Sequence, residues 1–271
     1  MMALLRTEAV KQARRPRTYV ALGLMAVIPI IITFALWANP PTIPSEGGDN
    51  FFFLATRSGL LLPAAILDVM SRFLLIAVAA LFAGDAIASE ASWGNLRALL
   101  ARPIRRERLL SVKLGISVAL AFLATLIIVV TALAAGAVAF GWHSLNLGSI
   151  VPTQSVGTLL GHLGIASGYI AWSLTSIVAF GFMISTMTDS PAGAASAAFG
   201  LYITSAILDN IPAIGVIRNV FPTHYNDAWR DLFLKNSVNG NMARGALLQV
   251  AYIVVFCGVA WWYFRRKDIM S

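Results

Sequence analysis

The 271 residues include one cysteine, Cys257, so no disulfide can form within the chain. It lies in an apolar run and reads as a buried structural thiol. Charge is scarce as well: Asp, Glu, Lys and Arg make up 12% of the residues, against about 25% in soluble domains. Hydrophobic residues reach 58%, more than a soluble fold of this length can remove from water. Soluble enzymes, disordered chains and disulfide-built scaffolds are excluded on those grounds. The three histidines, His143, His162 and His224, are scattered without ligand spacing, and no metal site is expected. A phosphate-binding loop needs Gly-x-x-x-x-Gly-Lys-[Ser/Thr], and none of the four lysines follows a glycine. No nucleophile–base set and no paired carboxylates converge on a pocket. The chain therefore reads as a non-enzyme, with no cofactor of its own.

What the sequence has instead is long apolar runs. A helix needs about 20 residues to cross a hydrocarbon core of roughly 30 Å. Six runs meet that length, at 19–38, 65–88, 114–140, 164–186, 192–212 and 246–264. Tyr19 and Trp37 bracket the first, and Trp261, Trp262 and Tyr263 close the last ahead of Arg265, Arg266 and Lys267. The first run exceeds the roughly 7–15 residues of a signal-peptide core and reads as a retained span. The fold class expected is an all-α polytopic membrane protein forming one transmembrane domain over 1–271.

The net charge of +8 is concentrated beside these runs rather than on a polar face that could read nucleic acid. Segments 1–18, 84–113, 187–191 and 265–271 hold fourteen Lys/Arg, while 39–64, 141–163 and 213–245 hold five. That bias puts both termini in the cytoplasm, and an even number of spans agrees with it. Residues 1–15 place Met2, Leu5, Ala9 and Ala13 on one helical face, with Arg6, Lys11, Arg14 and Arg15 mostly on the other. They read as a basic amphipathic helix in the membrane plane, with membrane lipid as its partner.

Small residues recur at helical spacing at Gly157, Gly161, Gly164 and Gly168, and again at Gly193/Ala197 and Ser196/Gly200. Such faces suit close helix packing, within one chain or across a dimer seam. Asp68 and Arg72 stand four apart in the second run and read as a self-neutralising pair or as a candidate intramembrane polar site. Asp209 falls at the outer end of the fifth run and Asp85 at the inner boundary of the second. Between the last two runs, 213–245 alternates apolar and charged residues and predicts an interfacial or re-entrant helix pair broken at Pro222.

Between the second and third runs, Leu96, Leu99, Leu100, Ile104 and Leu109 give residues 89–110 an apolar side outside the membrane, interrupted at Pro103. The order is a carboxylate, Gly-x-Leu-Arg-x-Leu-Leu, x-x-Pro-x-x-Arg, then a lysine before the next span. In this order Glu90, Gly94, Leu96, Arg97, Leu99, Leu100, Pro103, Arg106 and Lys113 resemble the ABC-2 type transporter permease family. Asn95 stands where that family more often has threonine.

The resemblance implies the permease subunit of an ATP-driven exporter in a bacterial cell (inner) membrane. Residues 89–106 would form a coupling helix seated on a separate ATPase subunit, present in two copies, which binds ATP and magnesium. Arg97 and Arg106 would pair with polar groups of that ATPase, Leu96, Leu99 and Leu100 would be buried anchors, and Gly94 would allow a close turn. The turn Thr188–Pro191 would give a smaller second contact. A second permease, identical or related, would complete a pathway lined by spans one, two and five and suited to an amphiphilic drug, peptide antibiotic or lipid. Two other readings compete: an ion-coupled transporter or channel using Asp68 and Arg72, and a membrane sensor or assembly protein without transport.

Overall fold

The computed structural model describes residues 2–41, 51–92, 106–142, 155–234 and 240–266, and every regular element among them is helical. In chain order these are α1 (Met2–Ala13), α2 (Pro16–Ala38), α3 (Phe51–Arg57), α4 (Leu62–Met70), α5 (Leu74–Gly84), α6 (Ala88–Ser92) and α7 (Arg106–Phe140). They continue with α8 (Val156–Met187), α9 (Pro191–Asp209), α10 (Asp231–Leu234) and α11 (Gly240–Arg266). Single 3-10 turns cover Gly59–Leu61 and Ala228–Arg230, and a longer 3-10 stretch covers Pro212–Val220.

Local sequence explains the boundaries. Pro16 and Pro191 occupy first-turn positions, where the missing N–H costs nothing. Ser155 and Ser190 cap α8 and α9 by accepting from the N–H groups of Thr158 and Gly193. Helix α7 stops before Gly141, whose φ of 71° is the left-handed conformation glycine adopts freely after a helix.

Among the described residues five helices, α2, α7, α8, α9 and α11, are long and apolar enough to cross a membrane. The remaining apolar run, the second in the chain, is not one straight helix. Gly59–Met70 and Leu74–Gly84 meet at an angle of 61° across Ser71–Phe73, which makes a broken span or a re-entrant loop. The break coincides with the charges of that run: Arg72 lies in it and Asp68 just before it, and both are paired to groups near Arg230. A charge left unpaired at membrane depth is costly, so the backbone turns where partners are available.

Helix α8 is the centre of the bundle, packed against α5, α7, α9 and α11, whereas α2, α9 and α11 leave most of their apolar surface uncovered. Uncovered Val20, Phe34, Leu126 and Val254 belong to that outer surface, which suits lipid rather than water. The main core runs from Met25 through Leu54, Leu62, Ile66 and Ile76 to Val178. A smaller core of Ala86, Ile87, Leu110, Phe182, Ala260 and Phe264 lies at the end of the bundle that carries α1.

One sequence expectation is corrected and another is narrowed. The segment 213–245 is not a helix pair broken at Pro222; where described, it is a run of 3-10 turns, bends and the short α10, followed by the first residues of α11, with Gly215 at φ 61°. Its apolar residues divide, with Trp229, Leu232 and Phe233 buried and Ile217 and Val220 exposed. The glycines at 161, 164 and 168 have nothing near their missing Cβ among the described residues, and Gly157 meets only Ser155. Close backbone packing within this chain is made elsewhere, at Gly59, Gly84, Gly136, Gly181 and Gly245.

Candidate functional site

The strongest concentration of buried charge lies at the α1 end, where α5 passes into α6. Ser185 of α8 fixes that passage: its Oγ donates to the Gly84 carbonyl (2.8 Å) and accepts from the N–H groups of Ile87 (3.0 Å) and Ala88 (2.9 Å). Those amides open α6 and would otherwise be orphaned helix-end donors. Ser89 Oγ donates back to the Asp85 carbonyl at 2.5 Å and tightens the same turn.

The turn aims Glu90 inward, where its side chain is 0% exposed. Its Oε1 accepts from Lys11 Nζ of α1 (2.6 Å) and from Lys113 Nζ of α7 (2.7 Å). Lys113, itself 4% exposed, also donates to Glu8 Oε2 of α1 at 3.0 Å. Two carboxylates and two ammoniums thus close a neutral cluster across three helices. Beside it Asp85 accepts from Arg15 (2.9 Å) and Arg17 (3.0 Å), tying the start of α2 to the same turn. Burial alone would push the Glu90 carboxyl up, but Lys113 and Lys11 more than offset this and hold it below the ordinary glutamate value. Glu90 is therefore a permanent anion at neutral pH.

Helix α1 differs from its expected arrangement. Lys11 and Arg15, assigned by spacing to the basic face of an in-plane helix, turn into the protein together with Glu8 and Gln12. Of the coupling residues expected from sequence, Glu90 is described and is the hub of the cluster. Gly94, Leu96, Arg97, Leu99, Leu100 and Pro103 lie outside the described residues, and Arg106 opens α7. Lys113 follows from the motif, but Glu8, its second partner, and Lys11, the second partner of Glu90, do not. Nothing in a linear pattern pairs residues more than a hundred positions apart, as Glu8 and Lys113 are.

A second cluster occupies the opposite end of the bundle. Asp68 and Arg72 do form the expected pair, but at 3.6 Å it is a loose one. Tighter partners come from the segment after α9: Arg230 reaches Asp68 at 2.5 Å and Arg72 reaches Asp227 at 2.9 Å. Arg230 and Asp227, 3.8 Å apart, complete an alternating ring of four charges. Asp209, at the end of α9, contacts His224 Nδ1 at 2.7 Å. Asn226 donates to Tyr202 Oη, Tyr169 to the Tyr225 carbonyl, Gln249 to the Pro222 carbonyl and Tyr252 to the Val220 carbonyl. Residues 212–230 are thus tied down by α4, α8, α9 and α11.

The ring makes a graded prediction. Arg230→Gln is expected to cost ~2 kcal/mol, because it removes charged hydrogen bonds from a mostly covered Asp68. Asp227→Asn, at a half-exposed position, is expected to cost under ~1 kcal/mol. Thermal unfolding of the two variants in one detergent measures the order, and equal losses would show that the ring is not what holds this cap.

Helices α2 and α7 border an open groove of about 610 Å³, lined by Ile30, Phe34, Trp37, Thr131, Ala135 and Val138 among others. Its lining is almost wholly apolar, since Thr131 donates to carbonyls of its own helix.

The long apolar helices and the charge clusters at the two ends of the bundle define a multi-pass helical membrane protein. A family model described as "Protein of unknown function (DUF2705)" matches residues 25–270, and the chain belongs to that family. The match takes in Asp68, Asp85, Glu90 and Lys113, and begins after α1 with its Lys11. No curated protein matches the chain.

Proposed function

We propose that this chain is the permease subunit of an ATP-driven exporter of the ABC-2 type. In this reading both termini and the α1 end face the bacterial cytoplasm. Residues 89–106 engage a separate ATPase subunit, and two permeases and two ATPases make the working complex. ATP and magnesium belong to the partner, because this chain carries no phosphate-binding loop.

The observation that carries the proposal is the clasp on Glu90. The segment that would receive the ATPase begins at a fully buried carboxylate held by lysines from α1 and α7, on a turn stapled by Ser185 of α8. A segment anchored in this way passes displacement to three helices at once, as a coupling element must. A loop free to swing would absorb the ATPase stroke. The opposite cluster supports the same reading over an ion-coupled one, since Asp68 and Arg72 neutralise each other and Asp227 and Arg230 within a closed ring. The apolar α2–α7 groove supports an amphiphilic cargo or a lipid.

The test is co-purification with ATP-binding-cassette ATPase subunits of the same cell, alongside Gly94→Trp and the double variant Leu96→Asp/Leu100→Asp. Wild type is expected to hold the ATPase and to alter its hydrolysis rate. Burying an aspartate in an apolar contact costs several kcal/mol, so the double variant should release the ATPase almost completely. An ATPase that binds wild type and both variants equally would remove the coupling role from this segment, and failure of any ATPase to bind would end the exporter reading.

A further inference from the structure

The outward face of α1 carries an inference that does not depend on ATPase coupling. The only acid of α1, Glu8, is turned inward onto Lys113, and Gln12 is buried beside it. Among the described side chains, what remains outside is cationic or apolar, with Thr7 as the one neutral polar exception. Leu5 is 48% exposed and Val10 44%, with Arg6, Ala13 and Arg14 exposed around them. Arg6 and Arg14 make no ion pair among the described residues, whereas the exposed Arg17 and Arg265 are paired with Asp85 and Glu107.

A face turned only to water would not need Leu5 and Val10, and one sunk in hydrocarbon would not tolerate two unpaired arginines. The mixture suits the boundary between them. Aromatic side chains are exposed on neighbouring elements at the same end of the bundle. Tyr19 is exposed in the first turn of α2, and Trp262 is exposed near the end of α11 with the Arg266 guanidinium 4.5 Å from its ring centroid. Among the described residues, Arg108 adds a further exposed cation without an ion pair at this end, and the exposed acids there are Glu107, paired with Arg265, and Asp189.

We propose that the outward face of α1 is a binding surface for anionic phospholipid, with Arg6 and Arg14 taking the headgroup phosphates while Leu5 and Val10 enter the acyl boundary. The inward ion pairs hold α1 in register for this contact, so the lipid meets a preorganised face. Each arginine near an anionic surface strengthens binding by roughly fivefold at low salt, or about 25-fold for the pair.

The experiment uses the full chain in nanodiscs of phosphatidylcholine alone or with added phosphatidylglycerol. Lipids retained after mild detergent extraction are counted by native mass spectrometry, and unfolding midpoints are measured in both discs. Wild type is expected to retain phosphatidylglycerol preferentially and to unfold at higher temperature in the mixed discs. Arg6→Gln/Arg14→Gln should lose about 25-fold in preference at low salt, while keeping the wild-type midpoint in pure phosphatidylcholine. Arg6→Lys/Arg14→Lys should keep most of the preference, because the charge remains. Raising the salt should weaken the wild-type preference through screening, a readout that needs no variant. The proposal is overturned if wild type does not prefer phosphatidylglycerol, if the preference ignores salt, or if the glutamine variant folds and keeps it in full. No ATPase enters the assay, so these outcomes leave the exporter proposal where its own test puts it.

Discussion

Replacing Glu90 by alanine is expected to destabilise the protein by about 3–5 kcal/mol, the range for removing one partner of a buried ion pair. The reason lies in what stays behind. Lys113 is 4% exposed and would retain only Glu8, and Lys11 would lose its carboxylate altogether. A buried ammonium without compensation costs more than the pair contributed when intact. The double variant Glu90→Leu/Lys113→Met removes one charge of each sign from the cluster and should lose less than Glu90→Ala alone. Unfolding midpoints of wild type, Glu90→Leu, Lys113→Met and the double variant complete a thermodynamic cycle. Additive losses would mean that Glu90 and Lys113 do not interact.

The same group sets a pH dependence. Lys113 and Lys11 hold the folded-state pKa of Glu90 below its ordinary value of 4.5. A carboxylate with a depressed folded pKa contributes stability that is present in full above the unfolded pKa and is lost as pH falls through the folded one. The contribution of Glu90 should therefore be constant through neutrality and disappear only in acid, below pH 4.5. Comparing wild type with Glu90→Gln along a pH series isolates it. The gap between them should narrow as pH falls below that value, and a gap that stays constant into strong acid would show that the ion pairs do not stabilise the fold.

Much of the bundle was legible because hydropathy acts locally. The apolar runs at 19–38, 114–140, 164–186, 192–212 and 246–264 each coincide with a long helix, and Ser190-Pro191 announces the start of α9. The second run was not legible as a broken element. Averaged over a window its apolar residues dominate, and Asp68 and Arg72 look self-sufficient at i,i+4. Their better partners, Arg230 and Asp227, come from a segment whose 3-10 turns have no sequence period to betray them. Within the candidate site, Glu90 and Lys113 stood out as charges in a motif at the edge of the membrane. Glu8, Lys11 and Ser185 did not, because helical spacing divides a short helix into faces without saying what each face meets. Lys11 and Arg15, from the basic side of that helix, are held inward by ion pairs, and that is a tertiary fact.

The glycines show the same divide, and one of them bears a large effect. The stripe from Gly157 to Gly168 has the spacing of a packing seam, yet nothing in this chain closes on it among the described residues. Gly59 and Gly136 share no motif, and their backbones meet. A Cβ on Gly136 would lie 2.5 Å from the Gly59 carbonyl oxygen and 3.1 Å from Leu62 Cδ2, and one on Gly59 would run into the Gly136 carbonyl. The Gly59 N–H also donates to the Gly141 carbonyl at 3.0 Å, so the two segments are fastened as well as touching. Neither side can turn a flexible side chain out of the way, because both obstacles are backbone. Overpacking ordinarily costs about 1–3 kcal/mol, and Gly59→Val is expected at or beyond the upper end of that range. The shift would reach α4 directly, since Leu62 opens that helix, and through it the ring at Asp68. Gly161→Ala is the control: it meets nothing within 4 Å and should leave the unfolding midpoint of the single chain nearly unchanged. Gly59→Val should lower both the midpoint and the yield of folded protein in detergent. Equal behaviour of the two variants would mean that the 59–136 crossing is looser than its geometry requires.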